Sequence, residues 1–281
     1  MNTSMQNKTV LITGATNGIG LVTARELARK GAKVVIVSRS AEKCAATVDQ
    51  LKQETANPRL AYIAADLSNK AGVEHAARAF KQDHKRLDVL VNNAGALFLQ
   101  RQLSADGLEL SFALNHLGYF YLTNLLLDLI ESSAPARIIN VSSGAHRGAR
   151  INFEDLMFEN GYTGMKAYGQ SKLANLLFTY ELARRLEGTQ VTVNALHPGF
   201  VSTGFAKNNG PIVRLAMNLI GPFTRQPDEG AATTIYLASS PDVEGVTSKY
   251  FEDKQEVESD PNSYDRDSAQ RLWQVSQELI S

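Results

Sequence analysis

Thr9-Val-Leu-Ile-Thr13-Gly14-Ala-Thr-Asn17-Gly18-Ile19-Gly20 is the stretch on which the reading of this chain turns. Thr9–Thr13 is apolar and β-branched, the composition of a short strand buried on both faces. Three glycines follow in the spacing Gly-x-x-x-Gly-x-Gly, and then an apolar helical pattern begins at Ile19 and runs to Lys30. Glycine lets a backbone turn sharply and approach a ligand closely. The start of the next helix offers free N–H groups and a positive dipole end to an anion. The spacing alone is weak, because any glycine-rich turn reads the same way. Between a first strand and a first helix it predicts a cradle for the pyrophosphate of a dinucleotide, formed by Thr13, Gly14, Asn17, Gly18, Ile19 and Gly20.

Working outward, the same strand-then-helix alternation repeats. Strands are predicted at Thr9–Thr13, Lys33–Val37, Leu60–Ala64, Leu87–Asn92, Arg137–Ser142 and Val191–Ala195, with a short one near Ser248–Phe251. Helical segments lie between them at Ile19–Lys30, Ala41–Glu54, Ala71–Asp83, Ala105–Glu131 (read as two helices) and Ala167–Leu186. Alternation of this kind builds an α/β domain: a single Rossmann-like, doubly wound parallel sheet with helices on both faces. No repeat or flexible linker divides the chain, so one domain is expected. It has a core at 8–195, a segment at 200–226 after the sixth strand, and a C-terminal extension at 252–281. The 200–226 segment holds an apolar cluster between Pro211 and Pro222, including Ile212, Val213, Leu215 and Met217. It reads as a lid over a greasy substrate, or else as a plain packing helix.

Composition narrows the setting. The 281 residues carry 29 Lys and Arg against 29 Asp and Glu, a balance that points to neither nucleic acid nor an anionic membrane surface as partner. The first residues are polar and lack the apolar run of a signal peptide. Leu117–Ile130, the most apolar later stretch, is interrupted by Thr123, Asn124 and Asp128, so no membrane span is expected. Cys44 is the only cysteine, which excludes an internal disulfide and any multi-cysteine metal site. A cytoplasmic location is expected, and no metal.

The residues after the second strand report on the adenine ribose. A carboxylate there would accept bonds from the ribose hydroxyls and repel a 2′-phosphate, whereas arginine attracts one. This chain has Ser38-Arg39-Ser40 and no acid before Glu42, which favours NADP(H) over NAD(H). Arg39 can also be read as a solvated residue before a helix, and Asn17 is a counterweight because a basic residue there would add a second phosphate contact.

Tyr168-Gly-Gln-Ser-Lys172 opens a long apolar helix, and the i, i+4 spacing puts both side chains on one face. Tyrosine ionises near pH 10 and is a poor proton carrier at neutrality; a nearby ammonium favours the phenolate and lowers that value. The spacing is not specific, since Tyr162…Lys166 and Tyr250…Lys254 share it. Tyr162 lies between Gly161 and Gly164, which disfavours a continuous helix, and Tyr250 belongs to a short late strand. Both are expected to be surface tyrosines.

These segments together resemble the short-chain dehydrogenase/reductase family over nearly the whole chain. The matching blocks are Thr13-Gly14…Gly18-Ile-Gly20, Asp66-Leu67, Asn92-Asn93-Ala94-Gly95, Asn115, Asn140-Val141-Ser142-Ser143, Tyr168…Lys172 and His197-Pro198-Gly199. Seven blocks in one order are far more specific than any one alone. The resemblance implies four catalytic residues. Tyr168 would be the general acid that protonates a carbonyl oxygen, and Lys172 would tune its pKa and bond the nicotinamide ribose. Ser143 would hydrogen-bond the substrate oxygen, and Asn115 would hold a relay water. It also implies that Asp66 and Leu67 flank the adenine, and that Asn93, Ala94, Gly95 and Val141 support the cofactor. Pro198, Gly199, Val201 and Thr203 would border the nicotinamide. Plainer alternatives stand beside these roles: Asn115 as a helix breaker, Asn92–Gly95 as an ordinary turn, Ser142 in place of Ser143. His116, His146 and His197 show no metal-ligand spacing and are expected to be structural.

The sub-pattern looks like retinol dehydrogenase-like proteins and related carbonyl reductases, through Asn140-Val-Ser-Ser-Gly-Ala-His146, Phe153-Glu-Asp-Leu156, Tyr168…Ser171-Lys-Leu-Ala-Asn175 and Arg271-Leu-Trp273…Ser276. Microsomal members carry an N-terminal anchor that the polar start here does not match. The expectation is therefore a soluble reductase of a lipophilic aldehyde or ketone, using NADP(H). A catalytically silent NADP(H)-binding regulatory protein on the same fold is the rival reading. A light-dependent protochlorophyllide reductase-like enzyme is a further one, but Cys44 is badly placed to serve as an active-site cysteine. The Tyr168 helix is commonly part of the family's dimer surface, so a homodimer is expected. The longer connection that precedes this helix can extend or block that surface.

Overall fold

The computed structural model describes residues 4–199 and 225–281. One sheet organises them, with strands β1 (Thr9–Thr13), β2 (Lys33–Ser38), β3 (Leu60–Ala64), β4 (Val89–Asn92), β5 (Ala136–Val141), β6 (Val191–His197), β7 (Lys249–Glu252) and β8 (Gln255–Glu256). Their spatial order is β3-β2-β1-β4-β5-β6-β7-β8. Every neighbouring pair is parallel except β7 and β8. The order reverses between β1 and β4, and there the loops leaving both strands open a crevice at their carboxyl ends.

Period-two burial explains the layers. Leu11, Val35, Val37, Leu90 and Ile138 face one side, covered by α3 (Lys70–Asp83), α5 (Gly118–Ser132) and α6 (Gly164–Arg185). Val10, Ile12, Val34, Ile36 and Val91 face the other, covered by α1 (Gly18–Arg29), α2 (Ala41–Thr55) and α7 (Pro227–Ser239). With both faces covered, the strands need apolar side chains throughout.

The predicted pair of helices at Ala105–Glu131 is one interrupted helix. It opens at Leu110–Phe112 (α4), where the buried Glu109 carboxylate accepts the N–H groups of Ser111 and Phe112. It widens into a π-turn at Ala113–Leu117 and continues as α5. Such turns cluster at functional sites, and this one contains Asn115.

A polar ladder crosses the sheet beneath the crevice. Asn92 Nδ2 donates to Thr123 Oγ1 at 3.0 Å and to Asn140 Oδ1 at 2.9 Å. Asn140 Nδ2 donates to Thr179 Oγ1 at 2.9 Å, so β4 and β5 are tied to α5 and α6.

Several expectations change. β4 starts at Val89, not Leu87, because the Asp88 carboxylate takes the Thr9 N–H and the side chains of Lys8 and Arg86. α7 and α8 (Arg266–Ile280) were not predicted, nor was β8. The 252–281 segment is no appendage: α8 lies along α6, with Leu272 packed in the cluster of Leu173 and Leu177. Trp273 stands edge-on to Phe120 and beside Phe178. Ala167–Ala183 of α6 is consequently buried on every side. Tyr250 and Tyr162 are not surface residues. Tyr250 is 1% exposed, because β7 lies under Leu176 and Tyr180, and Tyr162 is half-buried with its hydroxyl donating to the Phe98 carbonyl at 2.7 Å. Nearly all of the expected lid, 200–224, and with it Val201 and Thr203, lies outside the described residues; Arg225 pairs with Asp253, and Gln226 caps α7. No helix among the described residues is long and apolar enough to cross a membrane, and no group of His, Cys, Asp or Glu among them is disposed to hold a metal ion.

Candidate active site

The glycine loop lies between β1 and α1. Gly14 has φ +68°, and a Cβ there would stand 2.7 Å from Ala94 Cα; a Cβ on Gly20 would stand 2.5 Å from the Gly14 carbonyl oxygen. Side chains at either position would force the loop open. Asn17 makes no side-chain cap, so the first turn of α1 presents its N–H groups to whatever sits on the loop. Asn93 locks the loop from the β4 side: its Nδ2 donates to the carbonyls of Thr13 at 2.8 Å and Gly14 at 3.2 Å. Thr13 Oγ1 in turn accepts the N–H groups of Asn93 and Ala94, both at 2.9 Å. Thr13, Gly14, Asn17, Gly18, Ile19, Gly20, Asn93 and Ala94 thus make one rigid cradle that fits a dinucleotide pyrophosphate.

Along the same edge, β2 ends at Ser38, with Arg39 exposed beyond it. Thr16, which sequence reasoning missed, shares a 3.3 Å hydrogen bond with Ser38 and joins the glycine loop to the ribose corner. Asp66 follows β3; its Oδ1 accepts from the N–H and the hydroxyl of Ser68, and Leu67 beside it is buried. At the end of β6, Pro198 and Gly199 are half-buried.

At the centre, α6 carries Tyr168 and Lys172 one turn apart, and the tip of β5 carries Ser142 and Ser143. The two serines divide their work. Ser142 is buried, and its hydroxyl is committed to the Lys172 carbonyl at 2.8 Å. Ser143 is half-buried, caps the following turn through the Ala145 N–H, and shares a side-chain hydrogen bond with Tyr168. Ser143 is therefore the one that meets the phenol. Burial pushes the Tyr168 hydroxyl up to about 12, a rise that the bond to Ser143 opposes. Burial pushes Lys172 down to about 7. Its Nζ donates to the Val141 carbonyl at 3.0 Å and lies 5.7 Å from the centroid of the Tyr168 ring. The sequence predicts that the ammonium depresses the phenol. Here burial sets the direction at both groups, raising the phenol and lowering the ammonium.

Asn115 sits in the π-turn with both ends of its amide engaged. Oδ1 accepts the Ala96 N–H at 2.9 Å, while Nδ2 donates to the Ala96 carbonyl and to Ser171 Oγ, both at 3.0 Å. A Cβ on Gly95 would stand 3.1 Å from that oxygen and 3.3 Å from Lys172 Nζ, so the loop after β4 presses on both.

Two histidines brace the serine loop. His146 Nε2 accepts the Asp260 N–H at 3.2 Å, which leaves the proton on Nδ1 to donate to the Ser143 carbonyl at 2.6 Å. His197 Nδ1 accepts the Gly144 N–H at 3.0 Å. Burial lowers the pKa of both, in keeping with neutral rings. Through these bonds both rings hold the Ser143 loop. His146 stands in the Ser-Ser-Gly-Ala-His block, but its partner at Asp260 is too distant in sequence for the bond to be foreseen.

The short chain dehydrogenase family model matches residues 8–212. This chain belongs to the short-chain dehydrogenase family. It is 46% identical to retinol dehydrogenase 14 of Mus musculus, over 98% of this chain and 86% of that protein. It is 40% identical to polyprenol dehydrogenase of Homo sapiens, over 97% and 85%. Among solved structures it resembles the RhlG/NADP active-site complex of Pseudomonas aeruginosa, with a TM-score of 0.70, 32% identity, and coverage of 88% of this chain and 95% of that one. A short-chain dehydrogenase is an oxidoreductase that uses a nicotinamide cofactor and a small-molecule substrate. In this dehydrogenase the groups described above follow the carboxyl ends of β1 to β6, on either side of the point where the strand order reverses.

Proposed function

We propose that this protein transfers hydride between NADP(H) and the carbonyl or alcohol of a lipophilic substrate, with Tyr168 as general acid and base. The observation that carries the proposal is the convergence of the Tyr168 hydroxyl with Ser143, above a buried Lys172. When bound, the cofactor supplies or receives the hydride at the nicotinamide end. The chain does the rest. The Ser143 and Tyr168 hydroxyls hold a carbonyl oxygen between them. As negative charge develops on that oxygen, Tyr168 Oη gives up its proton, a step that needs the phenol protonated, as a pKa of about 12 ensures. The Lys172 ammonium steadies the phenolate that remains. Asn115, whose amide is spent on Ala96 and Ser171, holds the π-turn and so the floor beneath Lys172.

Preference for NADP(H) is supported by Arg39 and by the absence of a carboxylate at the end of β2. A lipophilic substrate is supported by the names of two relatives, since retinol and polyprenol are both isoprenoid alcohols. The apolar residues of 200–226 point the same way.

The test uses purified protein, NADPH with a panel of aldehydes and ketones, and NADP+ with isoprenoid alcohols. Turnover is expected with lipophilic members of the panel. Tyr168→Phe is expected to lose about 10²–10⁴-fold in rate while dinucleotide binding persists. Undiminished turnover in Tyr168→Phe would overturn the mechanism. An inert wild-type protein that still binds NADPH would favour the silent regulatory reading.

A further inference from the structure

Lys172 is 3% exposed, burial lowers its pKa, and no carboxylate among the described residues pairs with it. The described groups around its Nζ come from five segments. α6 supplies the Tyr168 ring and α5 the Tyr119 ring, with centroids at 5.7 and 5.6 Å. β5 supplies the Val141 carbonyl; the π-turn and the loop after β4 supply Asn115 and Gly95. His146 and His197, behind the adjoining serine loop, are held as neutral rings.

An ammonium among neutral groups loses its hydration, and an aromatic face within about 6 Å returns part of it through the ring quadrupole. Tyr119 is 1% exposed, and its hydroxyl finds no hydrogen-bond partner among the described residues. An aliphatic side chain would fill this core position as well but would offer Lys172 no ring face. What an aromatic residue adds here is that face. Burial pushes the phenol pKa well above 10, so the ring stays neutral.

We infer that Tyr119 is a positioning residue whose ring, together with that of Tyr168, gives Lys172 a second aromatic face and so keeps it an ammonium beneath the reacting phenol. The inference rests on the reading of Tyr168 and Lys172 as the proton-handling pair. The hydroxyl of Tyr119 takes no part; the ring face does.

The protonation of Lys172 can be read without a substrate, by NMR of full-length protein labelled at lysine Cε with 13C, its signal assigned through Lys172→Met. Tyr119→Phe is expected to leave the Lys172 midpoint within about 0.3 pH unit. Di- and trifluorinated phenylalanine at 119 keep the shape but drain the ring face, and should lower the midpoint stepwise, by about 0.5–1 unit in all. Tyr119→Leu should lower it as far, and the fluorinated series stays readable if that variant fails to fold. Where NADPH-dependent reduction of decanal is measurable, its alkaline limb should move down in parallel. A midpoint indifferent to fluorination overturns the inference, as does a shift in Tyr119→Phe as large as in Tyr119→Leu. Retained turnover in Tyr168→Phe would instead sink the underlying proton-transfer reading and leave the Lys172 titration standing.

Discussion

Tyr168 and Lys172 are displaced in opposite directions by the same cause, since burial disfavours the phenolate and the ammonium alike. For stability the lysine matters more. Unfolded, it titrates near 10.5; folded, near 7. Between those values the unfolded chain holds a proton that the native protein does not, so this residue makes stability rise with pH across that window. Below it, the native state carries the full cost of a buried charge. Lys172→Met is therefore expected to abolish turnover yet stabilise the protein by about 1–3 kcal/mol near neutrality, with the gain fading toward about pH 10. Thermal melts of both proteins across that range test it; a constant difference would remove the buried charge as the cause. At the ribose corner, Arg39 is exposed and pairs with no acidic side chain among the described residues. Arg39→Asp is expected to shift the kcat/KM preference from NADPH toward NADH by about tenfold or more, because a cation that attracts a 2′-phosphate becomes an anion that repels it. Equal efficiency with both cofactors in the unmutated protein would take away its basis.

Among the elements, α6 shows both how far the sequence could be read and where it could not. Its existence, its place after β5 and the pairing of Tyr168 with Lys172 were legible, because apolar periodicity and i, i+4 spacing are local signals. What covers it was not. α8 contributes Ala269, Leu272 and Trp273, a sparse apolar stripe in a polar segment, and only the tertiary structure says that the stripe meets α6. α7 escaped for the opposite reason, being apolar with little periodicity. The ends of β4 shifted because a carboxylate, Asp88, took over the hydrogen bonds that an additional strand residue would have made. The cover on α6 bears on assembly. The face through which a homodimer was expected is occupied by α8 of the same chain, so a monomer is the expected species in light scattering; a stable dimer would require another surface. Trp273, wedged against Phe120 and Phe178 with the Arg185 guanidinium 4.1 Å over its ring, anchors the cover. Trp273→Ala is expected to cost about 3–5 kcal/mol, measured by denaturant unfolding. A cost below about 1 kcal/mol would mean that α8 is held some other way.

The molecule as a whole places its chemistry where parallel strands that turn away from each other leave room. Most of that edge could be read from the chain: the glycine loop, Asn93, Ser143, Tyr168 and Lys172 each follow a strand or open a helix. The bracing contacts could not be read. His146 with Asp260, Thr16 with Ser38 and Tyr119 over Lys172 join segments whose proximity exists only after folding. The polar ladder through Thr123, Asn92, Asn140 and Thr179 belongs to this second kind and has a consequence for descent. Changing one of these side chains strands its neighbour's donor or acceptor in a dry interior, at about 1–3 kcal/mol. A lineage can abandon the ladder only by altering several of its rungs within a short interval, so these four positions should drift in concert or stay still.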